Sequence, residues 1–442
     1  MPGILVLTYT FYFMRKKVGI LAILILVLVP FGRWLFIEPI NYRFFNFIAT
    51  MTSIGQVLGI IGFSLFSINL ILSVRLKIVE RFFYGLNNIY NFHHKIGALS
   101  FIFLLFHPLF LVFSYLSVSL KSAADFFIPF NNIPVTYGSL ALIIMTILIV
   151  LTFYIKLKYH TWKFSHKFMV LAFVFVLLHL VYIPSDISRD GFLRVYLLVL
   201  GLIGLGFGFY QAFLRKLFNF NLVYNLKKIN ILNSQVVELE LEPRTRRLKF
   251  SPGQFIFIRF LSGSISTESH PFSISSGSST DNLQIVVKSL GDFTDKLKNL
   301  QPGLPVSIEG PYGKFSHLNI LNKNQVWVAG GVGITPFLSM ARSLADDSYH
   351  IDLYYCTNKP EDAVLMTELK EIEARGKIRI IPWCSSEKGY LSAKIISELS
   401  PGIQNKDILL CGPAPLMFSL KEQLLKLNIK RKNIHFENFQ LL

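Results

Sequence analysis

Apolar positions are distributed unevenly along this chain. Residues 1–218 are strongly apolar and rich in Phe, Leu and Ile, whereas residues 219–442 carry charges, Gly–Pro turns and alternating apolar positions. The first part contains six apolar stretches that are each long enough to cross a bilayer as a helix. They lie near residues 18–37, 48–73, 94–118, 134–155, 165–184 and 192–212. The pattern predicts a membrane α-helical bundle of six helices over residues 1–218.

The second part of the chain changes its pattern once more. Residues 219–320 contain short alternating strands separated by turns: VVELELEP, GQFIFIRF, LQIVVKSLG and PVSIEGPYG. Such a pattern is typical of a small antiparallel β-barrel. Residues 321–442 alternate strands (QVWVAG, IDLYYC, KIRIIPW, DILLCG) with helices, the first of which is expected from Pro336. This alternation predicts a doubly wound α/β domain.

Basic residues determine the expected orientation in the membrane. The chain carries 44 Lys and Arg against 26 Asp and Glu, a net charge of +18. Basic clusters precede the first stretch, separate the second from the third and the fourth from the fifth, and follow the sixth. By the positive-inside rule, both termini are cytoplasmic. A basic surface also favours anionic lipid and a phosphate-bearing cofactor. Nucleic-acid binding is not expected, because no basic stretch carries interleaved stacking aromatics.

Cysteine content and the N-terminus narrow the class of protein further. The three cysteines, Cys356, Cys384 and Cys411, all lie in the second half. Three cysteines argue against a disulfide framework, a Cys-ligated zinc and an iron–sulfur cluster, and they fit a reducing compartment. No small-residue cleavage site follows the first stretch, so a cleaved signal peptide is not expected. Met14, which Arg-Lys-Lys follows, is a more natural start than Met1, and both starts stay open.

Four histidines in two of the apolar stretches are the main candidates for chemistry. His93 and His107 lie in the third stretch, and His166 and His179 lie in the fifth. Histidine is costly inside a bilayer and usually serves a function there. Two pairs, each about one helix length apart, suggest two hemes stacked across the membrane, each held by one imidazole from each helix.

The spacing within the third stretch favours one of two neighbouring histidines. His93 and His107 are 14 residues apart. That spacing corresponds to roughly 21 Å of rise and lies within about 40° of four full turns, so the two rings share a face. A spacing of 13 residues, as from His94, turns the second ring away by roughly 140°. We therefore prefer His93 and retain His94 as the alternative.

The fifth stretch poses a geometric problem. His166 and His179 are 13 residues apart, so an ideal straight helix does not align them. Local tightening of the helix, or a different approach to each heme, is required. Because the third and fifth stretches both run from inside to outside, His93 and His166 are expected to share the cytosolic-side heme. His107 and His179 then share the outer heme.

Two motifs in the barrel region are candidates for flavin binding. In HPFSIS, Phe272 offers a flat group to an isoalloxazine ring, Ser273 a hydrogen bond near N5, and His270 a contact near the phosphates. In KSLGDFTDKL, backbone N–H groups and a hydroxyl where a strand meets a helix would bind a pyrophosphate. Each motif alone is also compatible with ordinary strand or loop structure. The predicted FAD-binding residues are His270, Pro271, Phe272, Ser273, Gly291, Phe293 and Thr294.

Three motifs in the α/β region suggest a nicotinamide nucleotide site. VAGGVGITP follows an apolar strand and opens a helix, where glycines let the backbone approach a diphosphate. LLCGPAPLM makes a tight turn at the end of a strand, where ligands bind in open α/β sheets. The terminal FENF contains an aromatic, Phe439, that could cover a flavin. Ordinary core packing is the alternative for Cys411 and for Phe439. The predicted NAD(P)-binding residues are Gly330, Gly331, Gly333, Thr335, Pro336, Cys411, Gly412 and Pro413, and the catalytic candidates are Cys411 and Phe439.

Taken together, these residues resemble the ferric reductase and NADPH oxidase superfamily, over nearly the whole chain after about residue 15. RFFYGLNNIYNFHHKIG is similar to the approach to the third span of that family's membrane domain, with His93 at the first ligand position. HPFSIS, GDFT, GGVGITP, CGPAP and FENF resemble its flavin, flavin-phosphate, nucleotide, nicotinamide-side and C-terminal aromatic motifs. Three residues follow FENF here. The resemblance implies a six-helix ferric-reductase-type domain and a ferredoxin-reductase-like cytosolic module.

The resemblance also implies a function. NAD(P)H would donate hydride to FAD, and single electrons would then pass through an inner and an outer b-type heme to an acceptor outside. The chain lacks an EF-hand loop and a Pro-rich tail, which argues against calcium control and docking partners. The simplest interpretation is a constitutive enzyme of a bacterial cell membrane with no obligatory protein partner.

One departure from the family concerns the acceptor. Animal and plant oxidases of the family carry a second histidine one turn beyond the outer ligand, where this chain has Leu111. Their arginine near the outer end of the second span has no clear equivalent in IATMTSIG. A superoxide-producing oxidase remains the leading hypothesis. The alternatives are an Fe(III) or Cu(II) metalloreductase and an electron-supply subunit for a partner protein. NADPH and NADH also both stay open, since Lys359 is a candidate contact to a 2′-phosphate but a solvated loop lysine is the favoured interpretation of it.

Overall fold

The structure is a computed structural model that divides the chain into two compact units, Met1–Phe218 and Asn219–Leu442. For residues 2–17 and 127 only the backbone is described. The described residues are 2–83, 85–128, 131–155, 157–215, 222–261, 265–266 and 268–437.

Among its described residues, the first unit contains six helices that are long and apolar enough to cross a membrane, which confirms the predicted six spans. The third span begins earlier than its apolar stretch, because the polar sequence around His93 continues the same helix. The spans, numbered in chain order, are Val18–Ile37, Phe47–Leu72, Leu86–Leu116, Ile133–Phe153, Tyr159–Tyr182 and Gly191–Leu214.

Shorter helices connect the spans, and the fifth and sixth spans are irregular. Polar caps begin several spans: the Asn46 side chain accepts from Ala49 N, and Asp190 accepts from Leu193 N. The sixth span ends in a π-helical turn, Tyr210–Leu214. The fifth consists of two helices, Tyr159–His166 and Met169–Tyr182. The connecting helices are Ile40–Arg43, Lys77–Phe83, Leu120–Phe127 and Asp186–Arg189.

The core of the membrane unit combines aromatic packing with close backbone contact. Phe173 is fully buried, stacks on Phe63 with ring centroids 5.7 Å apart and meets the edge of Phe66 at 4.9 Å. Gly204 of the sixth span faces the second span, where a Cβ would lie 2.8 Å from the Ser67 carbonyl oxygen. Small residues that let helix backbones approach closely are typical of membrane bundles.

The second unit begins with a six-stranded antiparallel sheet in the order β4-β3-β6-β1-β2-β5. An isolated bridge between Ile274 and Ile285 joins its two edge strands, β4 and β5, and closes the sheet into a barrel. Fully buried side chains such as Leu239, Ile256 and Ile258 fill the interior. The antiparallel barrel prediction is confirmed. The strands are β1 (Leu222–Ile231), β2 (Val236–Pro243), β3 (Phe255–Phe260), β4 (His270–Ser273), β5 (Leu283–Lys288) and β6 (Pro305–Tyr312).

A parallel five-stranded sheet follows, in the order β11-β10-β7-β8-β9. The α/β prediction is confirmed, although the first helix begins at Ile334 rather than Pro336, after a short 3₁₀ turn. The strands are β7 (Asn324–Gly330), β8 (His350–Thr357), β9 (Ile378–Cys384), β10 (Asp407–Cys411) and β11 (Ile434–Glu437). The helices are Ile334–Arg342, Met366–Glu373, Ser385–Lys388, Ala393–Leu399 and Ala414–Lys426.

The order of the parallel strands places a topological switch point between β7 and β10. The chain leaves β7 towards β8 and β9, and later returns to the other side of β7 with β10 and β11. In open α/β sheets, ligands bind in the crevice that forms where the order reverses. The two glycine-containing motifs follow β7 and β10, so the fold brings both to this crevice.

Candidate cofactor sites

Two pairs of histidine rings face each other between the third and fifth spans. The ring centroids of His93 and His166 are 6.3 Å apart, with planes inclined by 69°. Those of His107 and His179 are also 6.3 Å apart, with planes inclined by 72°. All four side chains are half-buried. The structure therefore brings together the four histidines in the two pairs that the topology argument predicts.

Backbone carbonyls orient three of these rings. Nδ1 of His107 donates to the Gly55 carbonyl oxygen at 2.7 Å, and Nδ1 of His179 donates to the Pro134 carbonyl oxygen at 2.7 Å. Nδ1 of His93 lies 3.1 Å from the Asn69 carbonyl oxygen. Because a carbonyl oxygen can only accept, Nδ1 holds the proton and Nε2 keeps its lone pair. Metal-ligating histidines are typically oriented in this way.

The distance between the rings fits a metal ion held between two imidazoles. A bond from an imidazole nitrogen to a metal ion measures about 2.0–2.1 Å, and the ring centroid lies about 1.1 Å beyond that nitrogen. Two such rings on opposite sides of one ion therefore have centroids about 6.3 Å apart. Within the described part of the chain, no group of three or more His, Cys, Asp or Glu side chains could hold a metal ion. Two axial imidazoles without further protein ligands suit an iron whose other ligands come from a macrocycle.

Glycines leave room beside both rings of the His107–His179 pair. A Cβ at Gly59 would lie 2.9 Å from Nδ1 of His107, and one at Gly138 would lie 3.0 Å from Nδ1 of His179. Both are closer than side-chain carbons normally approach. The absence of a side chain at these two positions therefore lets each ring take the orientation that its carbonyl partner requires. The histidine pairs, with the carbonyls and glycines around them, fit a heme.

Local tightening of the fifth span addresses its 13-residue spacing. The helix that contains His166 ends there, and the next begins at Met169. Between them, the backbone N–H groups of Lys167, Phe168 and Val170 each donate to the carbonyl three residues earlier. A 3₁₀ turn advances about 120° per residue instead of about 100°, so it rotates His179 towards the face of His166.

His93 and His94 differ in their surroundings. His93 is half-buried and lies opposite His166, whereas His94 is exposed on the neighbouring face of the third span. Their own ring centroids are 6.0 Å apart. The positions support His93 as the ligand candidate, which remains a prediction.

A polar pocket that the sequence did not indicate is lined in part by residues of the second span on either side of Gly55. It encloses about 300 Å³ and is lined by Ser53 and Gln56, which flank the Gly55 carbonyl that holds His107. Arg43 lines it as well, although only 3% of this residue is exposed. Arg43 Nη1 pairs with Asp186 at 3.0 Å, and its guanidinium lies 3.7 Å above the Trp34 ring. Arg43 precedes the second span, outside any recognisable motif, so only the fold places it here.

The two flavin motifs meet in the barrel. The His270 ring on β4 stacks on Phe293 with centroids 3.8 Å apart, and the Phe272 and Phe293 centroids are 6.4 Å apart. Pro271 pairs with Phe257 of β3 in the strand register, and Ser273 is 8% exposed. The structure thus joins residues that are about 20 positions apart in the chain.

The GDFT turn has local hydrogen bonds of its own. The Thr294 hydroxyl accepts from Leu290 N at 2.8 Å and from Gly291 N at 3.1 Å. The helix that follows is a six-residue 3₁₀ helix, Thr294–Asn299. On strand β3, which pairs with the HPFS strand β4, Arg259 Nε is buried and has no hydrogen-bond partner among the described residues. An orphaned guanidinium nitrogen on the strand next to HPFS fits a cofactor with a diphosphate, and no sequence motif indicated it.

Glycine geometry builds the nucleotide site at the switch point. A Cβ at Gly333 would overlap the Cys411 carbonyl oxygen, and one at Gly330 would lie 2.7 Å from the Pro413 ring. One at Gly412 would lie 2.9 Å from the Gly330 Cα. Gly331 has a positive φ of 53°, which favours glycine. The loops after β7 and β10 therefore interlock through backbone contact and leave their N–H groups at the crevice.

The helix that follows this loop starts with Thr335 and Pro336 in its first turn. The Thr335 hydroxyl donates to the Val332 carbonyl oxygen at 2.7 Å, and both residues are buried. Both residues shape the turn, and their assignment to nucleotide binding stays a prediction.

A cleft of about 590 Å³ occupies the crevice. It extends from the glycine loop to the ends of β8 and β9, and it includes residues from the turn between β1 and β2. Most of its walls were not predicted from the sequence, because the lining residues come from six separate segments of the chain. Lining residues outside the motifs include Gln235, Lys288, Thr357, Asn358, Trp383, Ser385, Tyr390 and Ser392.

Cys411 is fully buried and packs in the hydrophobic core of the α/β domain. Burial and the nearby Glu437 carboxylate raise the pKa of its thiol well above the usual value. Its backbone, rather than a thiolate, contacts the glycine loop. The catalytic assignment of Cys411 stays a prediction, and Phe439 lies outside the described residues.

Three family models match the chain. Residues 58–177 match a ferric reductase like transmembrane component, residues 221–316 an FAD-binding domain and residues 327–422 an oxidoreductase NAD-binding domain. The first range contains His93, His107 and His166 and ends two residues before His179, the second covers the barrel strands, and the third covers most of the parallel sheet. The chain thus combines a membrane component with FAD- and NAD-binding domains.

Curated relatives resemble parts of the chain. Ferric reduction oxidase 8, mitochondrial, of Arabidopsis thaliana is 38% identical over 26% of this chain and 17% of its own length. Dual oxidase 1 of Caenorhabditis elegans is 26% identical over 52% of this chain and 16% of its length. The ferredoxin reductase component of 3-ketosteroid-9-alpha-monooxygenase from Mycobacterium tuberculosis is 27% identical over 46% of this chain and 58% of its length.

The chain therefore spans less than two thirds of the length of each of these relatives. The order of the three domains and the two oxidase relatives nevertheless confirm the resemblance drawn from the motifs. The chain belongs to the ferric reductase and NADPH oxidase superfamily.

Proposed function

We propose that this chain transfers electrons across a membrane, from NAD(P)H through FAD and two b-type hemes to O2, which it reduces to superoxide. The observation that carries the proposal is the pair of equal 6.3 Å separations between facing histidine rings in the third and fifth spans. Two imidazole pairs stacked in one bundle supply two axial sites at different depths of the bilayer, as transfer of charge across it requires.

The soluble unit supports the source of the electrons. FAD accepts a hydride pair and releases electrons singly, and heme iron carries one electron at a time. The barrel offers the His270–Phe293 stack to the flavin, together with Arg259 Nε, which has no hydrogen-bond partner in the part of the chain that the structure describes. The glycine loop at Gly330–Gly333 offers backbone N–H groups to a nucleotide diphosphate.

Charge supports the direction. Lys and Arg concentrate before the first span, between the second and third and the fourth and fifth spans, and after the sixth, so the positive-inside rule makes these connections cytoplasmic. His93 and His166 then hold the cytosolic-side heme, and His107 and His179 the outer one. The proposed location is the cell membrane of a bacterium, with both termini inside.

Two observations keep other acceptors as second candidates. The pocket at Arg43 is lined by the charged residues Glu38, Asp186 and Arg189. A charged Fe(III) or Cu(II) species therefore fits this pocket better than apolar dioxygen does. Ferric reduction oxidase 8 is named for ferric reduction. The monooxygenase reductase components among the relatives favour the third candidate, electron supply to a partner protein.

The test is cytochrome c reduction by the full chain, loaded with FAD and heme, with NADPH in air. Superoxide reduces cytochrome c, so we expect superoxide dismutase to suppress the signal. The same preparation is then assayed with a ferric chelate under nitrogen. Reduction that dismutase leaves unchanged, together with fast chelate reduction, would replace O2 by a metal as the acceptor.

A further inference from the structure

One short helix of the second unit touches both candidate cofactor sites. The helix Ile334–Arg342, called here the nucleotide helix, follows the Gly331–Gly333 turn of the candidate nucleotide site. Its C-terminal end contacts the segment Ser275–Ser278, which directly follows the HPFS strand of the candidate flavin site. Nine helical residues span about 14 Å, so the two sites lie at opposite ends of one rigid element.

Arg342, the last residue of the nucleotide helix, makes five polar contacts. Nε and Nη2 donate to the two Glu368 carboxylate oxygens at 2.6 and 2.7 Å. Nη1 donates to the Ser275 carbonyl oxygen at 3.0 Å and to Gln284 Oε1 at 2.9 Å. Nη2 also lies 3.5 Å from Glu238. A two-pronged guanidinium–carboxylate pair fixes direction as well as distance, so this side chain joins the α/β domain to the barrel in one orientation.

The barrel atoms that Arg342 contacts belong to the seam where the barrel closes. Ser275 N donates to the Gln284 carbonyl oxygen at 2.8 Å, next to the bridge between Ile274 and Ile285. Arg342 therefore binds both sides of the seam, once through the Ser275 carbonyl and once through the Gln284 side chain. Displacing Arg342 would loosen the strand that carries the flavin motif.

Two serines of the same helix end reinforce the connection. The Ser339 hydroxyl donates to the Ser276 carbonyl oxygen at 2.8 Å, and Ser343 Oγ accepts from Ser278 N at 2.9 Å. Ser339 is fully buried. The junction is thus a packed, hydrogen-bonded contact rather than a surface ion pair.

We infer that Arg342 is a positioning residue that couples the nicotinamide nucleotide site to the flavin site through the nucleotide helix. A diphosphate on the glycine loop restrains the N-terminal end of the helix, and Arg342 passes that restraint to the barrel seam beside HPFS. Each ligand then raises the affinity for the other by the same factor, as linkage requires. The inference rests on the proposed function, because it needs both cofactors to bind.

The experiment measures this factor in the full chain. The dissociation constants of NADP⁺ and of NAD⁺ are determined with and without bound FAD, and that of FAD with and without each nucleotide. In the parent chain, we expect each bound ligand to lower the dissociation constant of the other by about fivefold or more. This factor should fall to about one in Arg342→Gln and should decrease partly in Arg342→Lys and in Ser339→Ala. These two milder variants carry the test if Arg342→Gln does not fold. The matched control is Arg379→Gln, which breaks a 2.8 Å pair with Asp352 away from both motifs and should leave the factor unchanged.

The outcomes separate coupling from stability. If Arg342 had only a structural role, its substitution would weaken the binding of each ligand by the same amount whether or not the other is bound. The factor would then stay unchanged, and an unchanged factor in all three variants would overturn the inference. A parent that binds both ligands with a factor of one would overturn it while the proposed function stands. A parent that binds neither ligand would refute both.

Discussion

The two units of this chain build their candidate sites in different ways. In the membrane unit, each site consists of two single side chains from different spans, such as His107 and His179, held by carbonyls of neighbouring helices. In the soluble unit, each site consists of backbone shaped by short continuous motifs, such as Gly330–Gly333 against Cys411–Pro413. In a bilayer the backbone groups are used for hydrogen bonds within the protein, as with the Gly55 carbonyl that orients His107, so side chains are left to bind a cofactor there. In the soluble unit, loop N–H groups are free for that purpose.

This difference predicts all-or-none effects in the membrane unit. Replacing one imidazole removes half of an axial pair, so we expect His107→Leu to lose one of two hemes and to abolish electron export, a decrease of at least about 100-fold. Heme content per chain by absorbance and cytochrome c reduction measure the two effects. Reduction of ferricyanide directly from the flavin should persist.

A neighbouring histidine supplies the control for that experiment. His94 is exposed and adjoins His93, so His94→Leu should keep both hemes, whereas His93→Leu should lose one. The assignment would be contradicted if His107→Leu kept two hemes per chain. It would also be contradicted if His94→Leu lost a heme and His93→Leu did not.

Backbone shape in the soluble unit predicts a large but partial effect. A methyl group at Gly333 overlaps the Cys411 carbonyl, so Gly333→Ala should force the two loops apart. We expect the α/β domain to lose about 1–3 kcal/mol of stability and the KM for NAD(P)H to rise by about tenfold or more. Thermal unfolding and steady-state kinetics measure these changes.

Gly303→Ala separates overlap from backbone strain. Gly303 has a positive φ of 90° but open space around it, so alanine there introduces strain without overlap. A KM in Gly333→Ala no higher than in Gly303→Ala would show that the interlocked loops do not form the nucleotide site.

The smallest effect is expected at the C-terminus. Phe439→Ala removes an aromatic that, by the family resemblance, is expected to cover the flavin. We therefore expect a change of about two- to fivefold in nicotinamide affinity or turnover, because such a residue would regulate access rather than chemistry. Phe436→Ala, three residues earlier on β11, is the matched control. Identical NADH and NADPH kinetics in Phe439→Ala and the parent would count against this role.

Sequence patterns predicted the elements well because their signals are local. Six apolar stretches, alternating strands and glycine loops each depend on a period or a turn within about 30 residues. The Arg43 pocket, the Arg259 Nε and the walls of the nucleotide cleft were missed, because each combines residues from distant segments without any periodic or motif signal. Arg43, for example, meets Asp186 across 143 residues of chain.

The sequence by itself therefore determined the division into a membrane bundle, a barrel and a doubly wound domain, and it identified which histidines and glycines carry the candidate chemistry. Only the tertiary structure decided how these residues meet. A 3₁₀ turn at Lys167–Phe168 adjusts the rotation between His166 and His179, and one helix places Arg342 at the barrel seam. The physical reason is that periodicity specifies which face of an element is apolar, whereas packing between elements sets the distances between side chains on those faces.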